Sequence, residues 1–268
     1  MPTRDVVKKT QDLTSISWSE RVSSSGTAGT YLKARTGEST RMLYYKLARF
    51  NGLEIDGHEC VNEIIASRLM DVLGIEHLSY RLIHARVSLA GKEYETWLNS
   101  SRNFRSRGER KLAFGAFFDL YCQAGETPYG LCQRFGWAEQ IKRMMLVDYL
   151  MVNRDRHSSN VEVLVAPNGT RRLSPIFDMG FSLLAPYAGD IERALRFDPL
   201  APVATNNFIG SRSLEENLLE CAPIAGITPL KESDKEILLN GLQGALDPRL
   251  LEKSWQIIWG RWQHYANL

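Results

Sequence analysis

One polar segment constrains the fold of this chain more than any other feature. The run NRDRHSSN occupies positions 153–160, directly after a helical pattern that spans 137–152. Two short strand patterns follow, 161–165 and 172–177, and a PNG turn separates them. The second strand leads directly into the tripeptide DMG at positions 178–180. This order predicts a long helix, a polar loop and a β-hairpin that carries a second polar element at its end.

The residue types in these two segments suit phosphoryl transfer. Asp155 precedes Asn160 by five positions, which is the spacing of the kinase catalytic loop, and the DMG element stands where kinases place a metal-binding aspartate. The reaction needs a carboxylate to orient the attacking hydroxyl and oxygen ligands for Mg²⁺. We therefore expect Asp155 to be the orienting base, with His157 beside it in the catalytic loop. Asn160 and Asp178 are the expected metal ligands, and Gly180 is expected to let the backbone turn sharply after them.

The run NRDRHSSN followed by SPIFDMG resembles the HipA-like serine/threonine kinases of bacteria. Its DRHxxN part is also similar to phosphoinositide kinases, which share this loop order, with the histidine after the aspartate. The resemblance implies an α+β protein with a two-lobed, protein-kinase-like fold. A small N-terminal β-rich lobe with one helix would precede a larger, mostly helical C-terminal lobe. It also implies ATP and Mg²⁺ as cofactors.

The upstream half offers a lysine and a glutamate for the same site. Kinases hold a strand lysine against the nucleotide phosphates with a glutamate on the following helix. Lys46 lies in a predicted strand, 42–48, and Glu63 lies in a predicted helix, 58–73. Glu59 is one turn earlier on the same side of the helix, and we favour Glu63 because its register turns Ile64 and Ile65 towards the core. Lys33, four residues after Gly29, is a second candidate for the phosphate lysine.

A small-residue loop precedes these elements. Ser25, Gly26, Thr27 and Gly29 are expected to fold over the nucleotide phosphates with backbone N–H groups turned inward. The loop has only two of the three glycines of the GxGxxG pattern, and a flexible linker is the alternative interpretation. The family resemblance further implies autophosphorylation of a serine in this loop, for which the segment 23–27 offers four hydroxyl groups.

The division of the chain follows from a change of pattern. Residues 1–98 are predicted to form the N-terminal lobe, with strand patterns at 31–34, 42–48, 77–87 and 94–98. Residues 99–111 carry no apolar period and are the predicted connection between the lobes. The adenine is expected to contact this connection near residues 97–103. Residues 112–268 are the predicted C-terminal lobe. The basic run in the connection is expected to be a solvated loop, with attraction of an acidic substrate as the alternative.

Composition excludes several other classes of protein. The 268 residues are 44% apolar and 24% charged, which is ordinary for a globular protein. A net charge of +2 is too small for the footprint of a nucleic-acid-binding domain, so no nucleic acid is implied. No apolar run reaches the length of a membrane span or a signal peptide. The four cysteines form no CxxC pair and are expected to be reduced thiols in a cytoplasmic protein.

Three functions remain open at this stage. The leading hypothesis is an enzyme, an ATP- and Mg²⁺-dependent serine/threonine protein kinase of the HipA-like type, whose protein substrate the sequence does not name. The second is a lipid kinase of the phosphoinositide type, which has the same active-site logic. The third is a nucleotide-binding regulator without catalysis, although a pure binder does not need Asp155. The chain begins within about 30 residues of the phosphate loop, so a DNA-bound antitoxin partner is not implied.

Overall fold

A five-stranded sheet and one helix form the N-terminal part of the chain. The computed structural model describes residues 5–19, 31–38 and 42–268. The sheet has the spatial order β1-β4-β5-β3-β2. Its strands, in chain order, are β1 (Val6–Leu13), β2 (Lys33–Thr36), β3 (Leu43–Leu47), β4 (Tyr80–Leu89) and β5 (Lys92–Arg102). Neighbouring pairs are antiparallel except β1 and β4, which run parallel.

Two of these strands differ from the sequence-based expectation. β1 was not predicted, because its sequence VVKKTQDL has few apolar residues. Its backbone N–H and C=O groups instead form hydrogen bonds with β4, where Val6 lies opposite Leu82. β5 was expected to end at residue 98 but continues to Arg102, since Leu43 at the start of β3 lies opposite Arg102. The predicted connection 99–111 therefore begins inside a strand, because ladder hydrogen bonds do not require an apolar period.

The helix α1 (Glu59–Leu73) lies against this sheet. It begins one residue after the predicted start and ends at Gly74, which adopts a left-handed conformation with φ of 71° and whose N–H caps the last turn. Ile64, Ile65 and Leu69 are completely buried in the main core. This packing fixes the rotation of the helix, and so determines which of its carboxylates reaches Lys46 on β3.

The C-terminal part is mostly helical. Its helices are α2 (Phe114–Tyr121), α3 (Pro128–Arg134), α4 (Ala138–Met151), α5 (Ile191–Leu195), α6 (Leu214–Cys221), α7 (Asp234–Leu239) and α8 (Pro248–Ala266). A three-stranded sheet contains β6 (Arg110–Ala113), β7 (Glu162–Val165) and β8 (Arg171–Leu173). The predicted cap of the last helix is confirmed, since the Asp247 side chain accepts a hydrogen bond from the Arg249 N–H. Neither α3 nor β6 was predicted.

The two parts are also joined away from the cleft. Arg68 on α1 donates hydrogen bonds to the carbonyl oxygens of Leu238 and Asn240 and pairs with Asp5. The indole N–H of Trp97 donates to the carbonyl oxygen of Gly244. Within the described residues, no helix has the length and apolar character that crossing a membrane requires.

The basic run near the connection is only partly a solvated loop. Arg102 and Arg107 are exposed, as predicted. Lys111 is not, because β6 pairs with β7 and brings this side chain to Glu162, at 3.4 Å. Only 12% of the Lys111 side chain is exposed. The pairing of β6 with β7 therefore places Lys111, a residue of a basic run expected at the surface, beside the buried carboxylate of Glu162.

Candidate active site

The centre of the candidate site is a lysine between two carboxylates. Lys46 on β3 has its Nζ 3.3 Å from Glu63 Oε1 and 2.5 Å from Asp178 Oδ1. The three residues come from a strand, a helix and the loop after the C-terminal hairpin. Glu59 is directed elsewhere, because its carboxylate accepts hydrogen bonds from the Arg49 N–H and the Tyr31 hydroxyl. Of the two glutamates considered on α1, the structure thus brings Glu63 to Lys46.

The ion pairs keep Lys46 and Asp178 charged despite burial. Burial lowers the pKa of the Lys46 ammonium, but the carboxylates of Asp178 and Glu63 outweigh it and raise that pKa well above its usual value. For Asp178, burial raises the pKa, but Lys46, Lys33 and Arg156 together lower it by more, to about 2. Burial is the largest effect on Glu63, and its pKa is raised although Lys46 opposes the shift. The cleft therefore holds a charged lysine–aspartate pair at neutral pH.

A buried arginine holds the two polar loops together. Arg156 is completely buried, and its guanidinium forms an ion pair with Asp148 on α4, with Nη2 at 2.8 Å from Oδ1. Its Nη1 donates to the carbonyl oxygens of Asn160 and Phe177, at 2.9 and 2.8 Å. One side chain thus joins the predicted catalytic loop to the residue that precedes Asp178.

The predicted catalytic residues lie together at the surface of this framework. Asn160 Nδ2 donates to the Asp155 carbonyl oxygen at 2.8 Å, which closes the loop on itself. The Asp155 carboxylate is partly exposed, and His157 Nε2 lies 3.6 Å from its Oδ2. Asn206 donates to the other carboxylate oxygen at 3.5 Å. The carboxylate is therefore accessible from solvent, with two polar side chains close to it.

The backbone turn occurs at a different residue from the one expected. Asp178, not Gly180, adopts the left-handed conformation, with φ of 59°. Its N–H donates to the Tyr80 hydroxyl, and the next N–H, of Met179, donates to Glu63 Oε2 at 2.9 Å. Gly180 instead lies against α1, where an added Cβ would come 3.1 Å from the Glu59 Cβ. A Cβ at Gly180 would make a tight contact with α1, and the hydrogen bonds of the Asp178 and Met179 N–H groups hold the turn at Asp178.

An open cleft leads to this site. Fourteen residues line it: Lys33, Tyr44, Tyr45, Lys46, Leu78, Tyr80, Asn99, Ser101, Arg102, Asn103, Phe104, Lys111, Phe177 and Asp178. Lys33 lies directly opposite Lys46 on the neighbouring strand. The predicted phosphate-loop residues Ser25, Gly26, Thr27 and Gly29 lie outside the described residues.

Several residues of the site were not identified from the sequence. Arg156 and Asp148 carried a signal, since an aspartate inside the apolar helical run 141–151 requires a buried partner. Asn62 donates to the carbonyl oxygens of Gly180 and Ser182, and no feature of the sequence indicated this role. Tyr80 also carried no signal, because its position at the end of a strand is ordinary for a tyrosine.

The oxygen donors present suit a magnesium ion better than a metal held by protein ligands alone. No group of three His, Cys, Asp or Glu side chains in the described part of the chain is arranged as a metal site. Mg²⁺ needs only one or two protein oxygen ligands when substrate phosphates and water supply the others. Asp178 is ionised, and Asn160 Nδ2 is used within its loop, which leaves the amide oxygen for a cation.

Comparison with known proteins supports the fold. No protein-family model and no curated protein matches the sequence. Among solved structures, the proinflammatory kinase CtkA of Helicobacter pylori is similar, with a TM-score of 0.60 at 14% sequence identity over 96% of this chain and 95% of that chain. HipA of Shewanella oneidensis MR-1, solved as a toxin–antitoxin complex with HipB and operator DNA, matches with a TM-score of 0.42 at 14% identity, over 100% of this chain and 75% of that chain.

The protein therefore has a two-lobed, kinase-like α+β fold. The similarity to CtkA extends over nearly the whole of both chains, and the sheet lobe with its single helix precedes the mostly helical part as predicted. The expected fold class is confirmed.

Proposed function

We propose that the protein is an ATP- and Mg²⁺-dependent serine/threonine protein kinase of the HipA-like type. The observation that carries this proposal is the Lys46–Glu63–Asp178 cluster, in which one ammonium contacts two carboxylates from different parts of the chain. A kinase requires both a lysine held by a helix glutamate and an aspartate for the metal. The meeting of all three groups, with Lys46 and Asp178 lining one cleft and Glu63 buried behind them, favours a phosphotransferase.

In this mechanism Asp155 acts on the acceptor hydroxyl group. The hydroxyl oxygen forms a bond to the γ-phosphorus as the bond from that phosphorus to the ADP oxygen breaks, and the hydroxyl proton passes to the Asp155 carboxylate. Lys46 supplies positive charge to the phosphates, and Glu63 holds its ammonium in place. Asn160 and Asp178 would hold Mg²⁺, which supplies charge neutralisation for the phosphate oxygens. The main work of the protein is positioning and electrostatic stabilisation.

Arg156 supports the proposal by joining the two halves of this machinery. The carbonyl oxygens that it binds belong to Asn160 and to Phe177, next to Asp178. A displacement of either loop would break hydrogen bonds to a completely buried guanidinium. A fixed distance between the two proposed metal ligands is what a catalytic metal site requires.

The test is transfer of radioactive phosphate from [γ-³²P]ATP with Mg²⁺. Three acceptors are offered in parallel: the protein itself, a generic protein such as casein, and phosphoinositide vesicles. Label on protein serine or threonine that is lost in Asp155→Asn supports a protein kinase. Label on lipid alone would assign the protein to the lipid kinases. ATP binding without transfer to any acceptor would favour a non-catalytic regulator.

Autophosphorylation is part of the proposal and has its own readout. A phosphate within residues 23–27 would add about −1.5 to −2 charges at neutral pH and would repel the phosphates of ATP. Mass spectrometry after incubation with Mg²⁺ and ATP is expected to find the modification in the wild type and not in Asp155→Asn. An unmodified segment in an enzyme that labels casein would refute this part alone.

A further inference from the structure

A buried carboxylate with an unsatisfied oxygen lies beside the cleft. Glu162, on β7, is completely buried. Its Oε2 has no hydrogen-bond partner among the described residues, although Lys111 Nζ lies 3.4 Å away. Charge-assisted hydrogen bonds are normally 2.7–2.9 Å long, so this ion pair is loose. A buried acceptor without a donor is costly and rare in folded proteins.

Glu162 lies behind the wall of the cleft, because Lys111, with which it pairs, lines the cleft while Glu162 itself is completely buried. Lys111 on β6 and Lys33 on β2 line the cleft from opposite lobes. Burial raises the pKa of Glu162 to about 7, and Lys111, Arg105 and Lys33 oppose that shift. A second orphan group faces the same space, since Asn99 lines the cleft and its Nδ2 has no partner among the described residues.

The surroundings of Glu162 suit a flat heterocycle rather than phosphates. The phosphate end of the cleft is marked by Lys46 with Asp178. Near Lys111, the rings of Phe104 and Phe177 stack with centroids 5.7 Å apart, and both line the cleft. The Lys111 ammonium lies 5.3 Å from the centroid of the Phe104 ring. Aromatic faces favour stacking with a base, and the ionised form of Glu162 would repel phosphate.

We propose that Glu162, held by Lys111, recognises the 6-amino group of the adenine base. This inference rests on the proposed function as a nucleotide-dependent enzyme. The amino group donates a hydrogen bond to Glu162 Oε2, the atom that lacks a donor, and the neighbouring ring nitrogen accepts one from the Lys111 ammonium. An acceptor and a donor side by side are complementary to the donor and acceptor that adenine presents on one edge. Because Glu162 is completely buried, the Lys111 ammonium has to shift towards Oε1, to which it already donates a hydrogen bond, for the base to reach Oε2.

Glu162 and Lys111 discriminate between nucleotides because a buried carboxylate oxygen without a hydrogen-bond donor costs free energy. A site built to bond an N–H group discriminates against an analogue that lacks it, because the buried polar group then remains unpaired. Hydrogen bonds to charged groups are each worth about 1.5–3 kcal/mol. We therefore expect ATP to bind about 10- to 100-fold more tightly than purine riboside 5′-triphosphate, which lacks only the 6-amino group.

The experiment measures the dissociation constants of both nucleotides by calorimetry with Mg²⁺. Glu162→Leu is expected to reduce the discrimination to less than about threefold, and Glu162→Gln, which keeps an acceptor, to retain most of it. Lys111→Met/Glu162→Leu is the variant to use if Glu162→Leu leaves Lys111 unpaired and fails to fold. Glu126→Leu is the matched control, because it breaks an ion pair with Arg134 in which neither residue lines the cleft.

The outcomes separate this inference from the proposed function. Equal affinity of the wild type for both nucleotides overturns the role of Glu162, whatever the variants do. An equal loss of affinity for both nucleotides in Glu162→Leu also overturns it, since a packing role moves both. Failure of the wild type to bind either nucleotide refutes the proposed function itself. Discrimination that disappears only in the Glu162→Leu variants supports the inference.

Discussion

At the scale of residues, two aspartates of the site have different surroundings and different expected roles. Asp155 is partly exposed, and the polar side chains of His157 and Asn206 lie near its carboxylate. Asp178 forms an ion pair with Lys46 beneath the cleft. A proton acceptor requires access to the hydroxyl group of the substrate, whereas a metal ligand requires a fixed negative charge. The two positions meet these separate requirements.

Substitution of the two aspartates is therefore expected to have different effects. Asp155→Asn lowers the rate of phosphoryl transfer by about 10²- to 10⁴-fold, the usual contribution of a positioned base, and leaves ATP affinity nearly unchanged. Asp178→Asn abolishes Mg²⁺-dependent nucleotide binding, because a charged ligand is lost. Single-turnover rates and calorimetric titrations with and without Mg²⁺ distinguish the two. Wild-type transfer rates in both variants would show that the active-site assignment is wrong.

Arg156 is the second residue whose loss has a defined consequence. Arg156→Met leaves the Asp148 carboxylate buried without its cation and removes two hydrogen bonds to the loops. Breaking a buried ion pair in this way costs about 3–5 kcal/mol, which urea denaturation measures directly. Arg86→Met is the control, since Arg86 pairs with Asp12 at the surface and such pairs contribute about 0–1 kcal/mol. Equal small losses in both variants would contradict the structural role of Arg156.

At the scale of elements, the start of α1 contains a half-buried histidine. His58 stands at the first cap of the helix, and its Nδ1 has no hydrogen-bond partner among the described residues. Burial lowers the pKa of His58, the adjacent Glu59 and Asp56 oppose that shift, and Arg49 adds to it. The helix that positions Glu63 therefore begins at a group that resists protonation in the folded protein.

Acid is expected to destabilise the protein through this residue. The pKa of His58 is about 6.5 in the unfolded chain and lower in the folded one, so the unfolded state binds the proton more readily. The stability contribution is complete above pH 6.5 and is lost as the pH falls through the folded pKa. His58→Gln, which cannot take up the proton, is expected to lose less free energy of unfolding than the wild type between pH 7.5 and 5. Parallel stability curves for the two proteins would exclude this contribution.

At the scale of the whole molecule, contacts outside the site also join the lobes. Arg68 and Trp97 bind the chain around α7, at Leu238, Asn240 and Gly244, and the Thr228 N–H donates to the Leu73 carbonyl oxygen. Because these contacts are independent of the site, the lobes are held together without a nucleotide. A ligand that fills the cleft adds its binding energy to a molecule that is already assembled.

Nucleotide binding is therefore expected to raise the thermal stability of the whole protein. At a concentration of 100 times Kd, ATP with Mg²⁺ adds about 2.7 kcal/mol, which is about 5–10 °C in Tm for a chain of this size. Lys46→Met is expected to abolish the shift, because it removes the cation that would meet the phosphates and leaves two carboxylates facing each other. Differential scanning fluorimetry measures both. An ATP-dependent shift that persists unchanged in the variant would place the nucleotide elsewhere.

The sequence by itself determined the local elements and the chemistry of the candidate site. Three features are local patterns of the sequence: the five-residue spacing of Asp155 and Asn160, the DMG element, and the helix that carries Glu63. The strands and helices beside them are predicted by apolar periodicity. Strand 43–47 and helix 59–73 lie within two residues of the predicted bounds. The proximity of Lys46, Glu63 and Asp178 was expected only because a family resemblance supplied the fold.

Tertiary structure alone decided the features that depend on distant partners. β1 is a strand because β4, more than 70 residues later, pairs with it. Lys111 and Glu162 meet because β6 pairs with β7, and Asp178 rather than Gly180 takes the left-handed turn because Tyr80 and Glu63 bind the adjacent N–H groups. Neither the pairing of distant strands nor the burial of a charged side chain produces a repeating pattern in the sequence, so neither could be predicted from it. These features arise only when the backbone and the ionised groups find partners in the folded molecule.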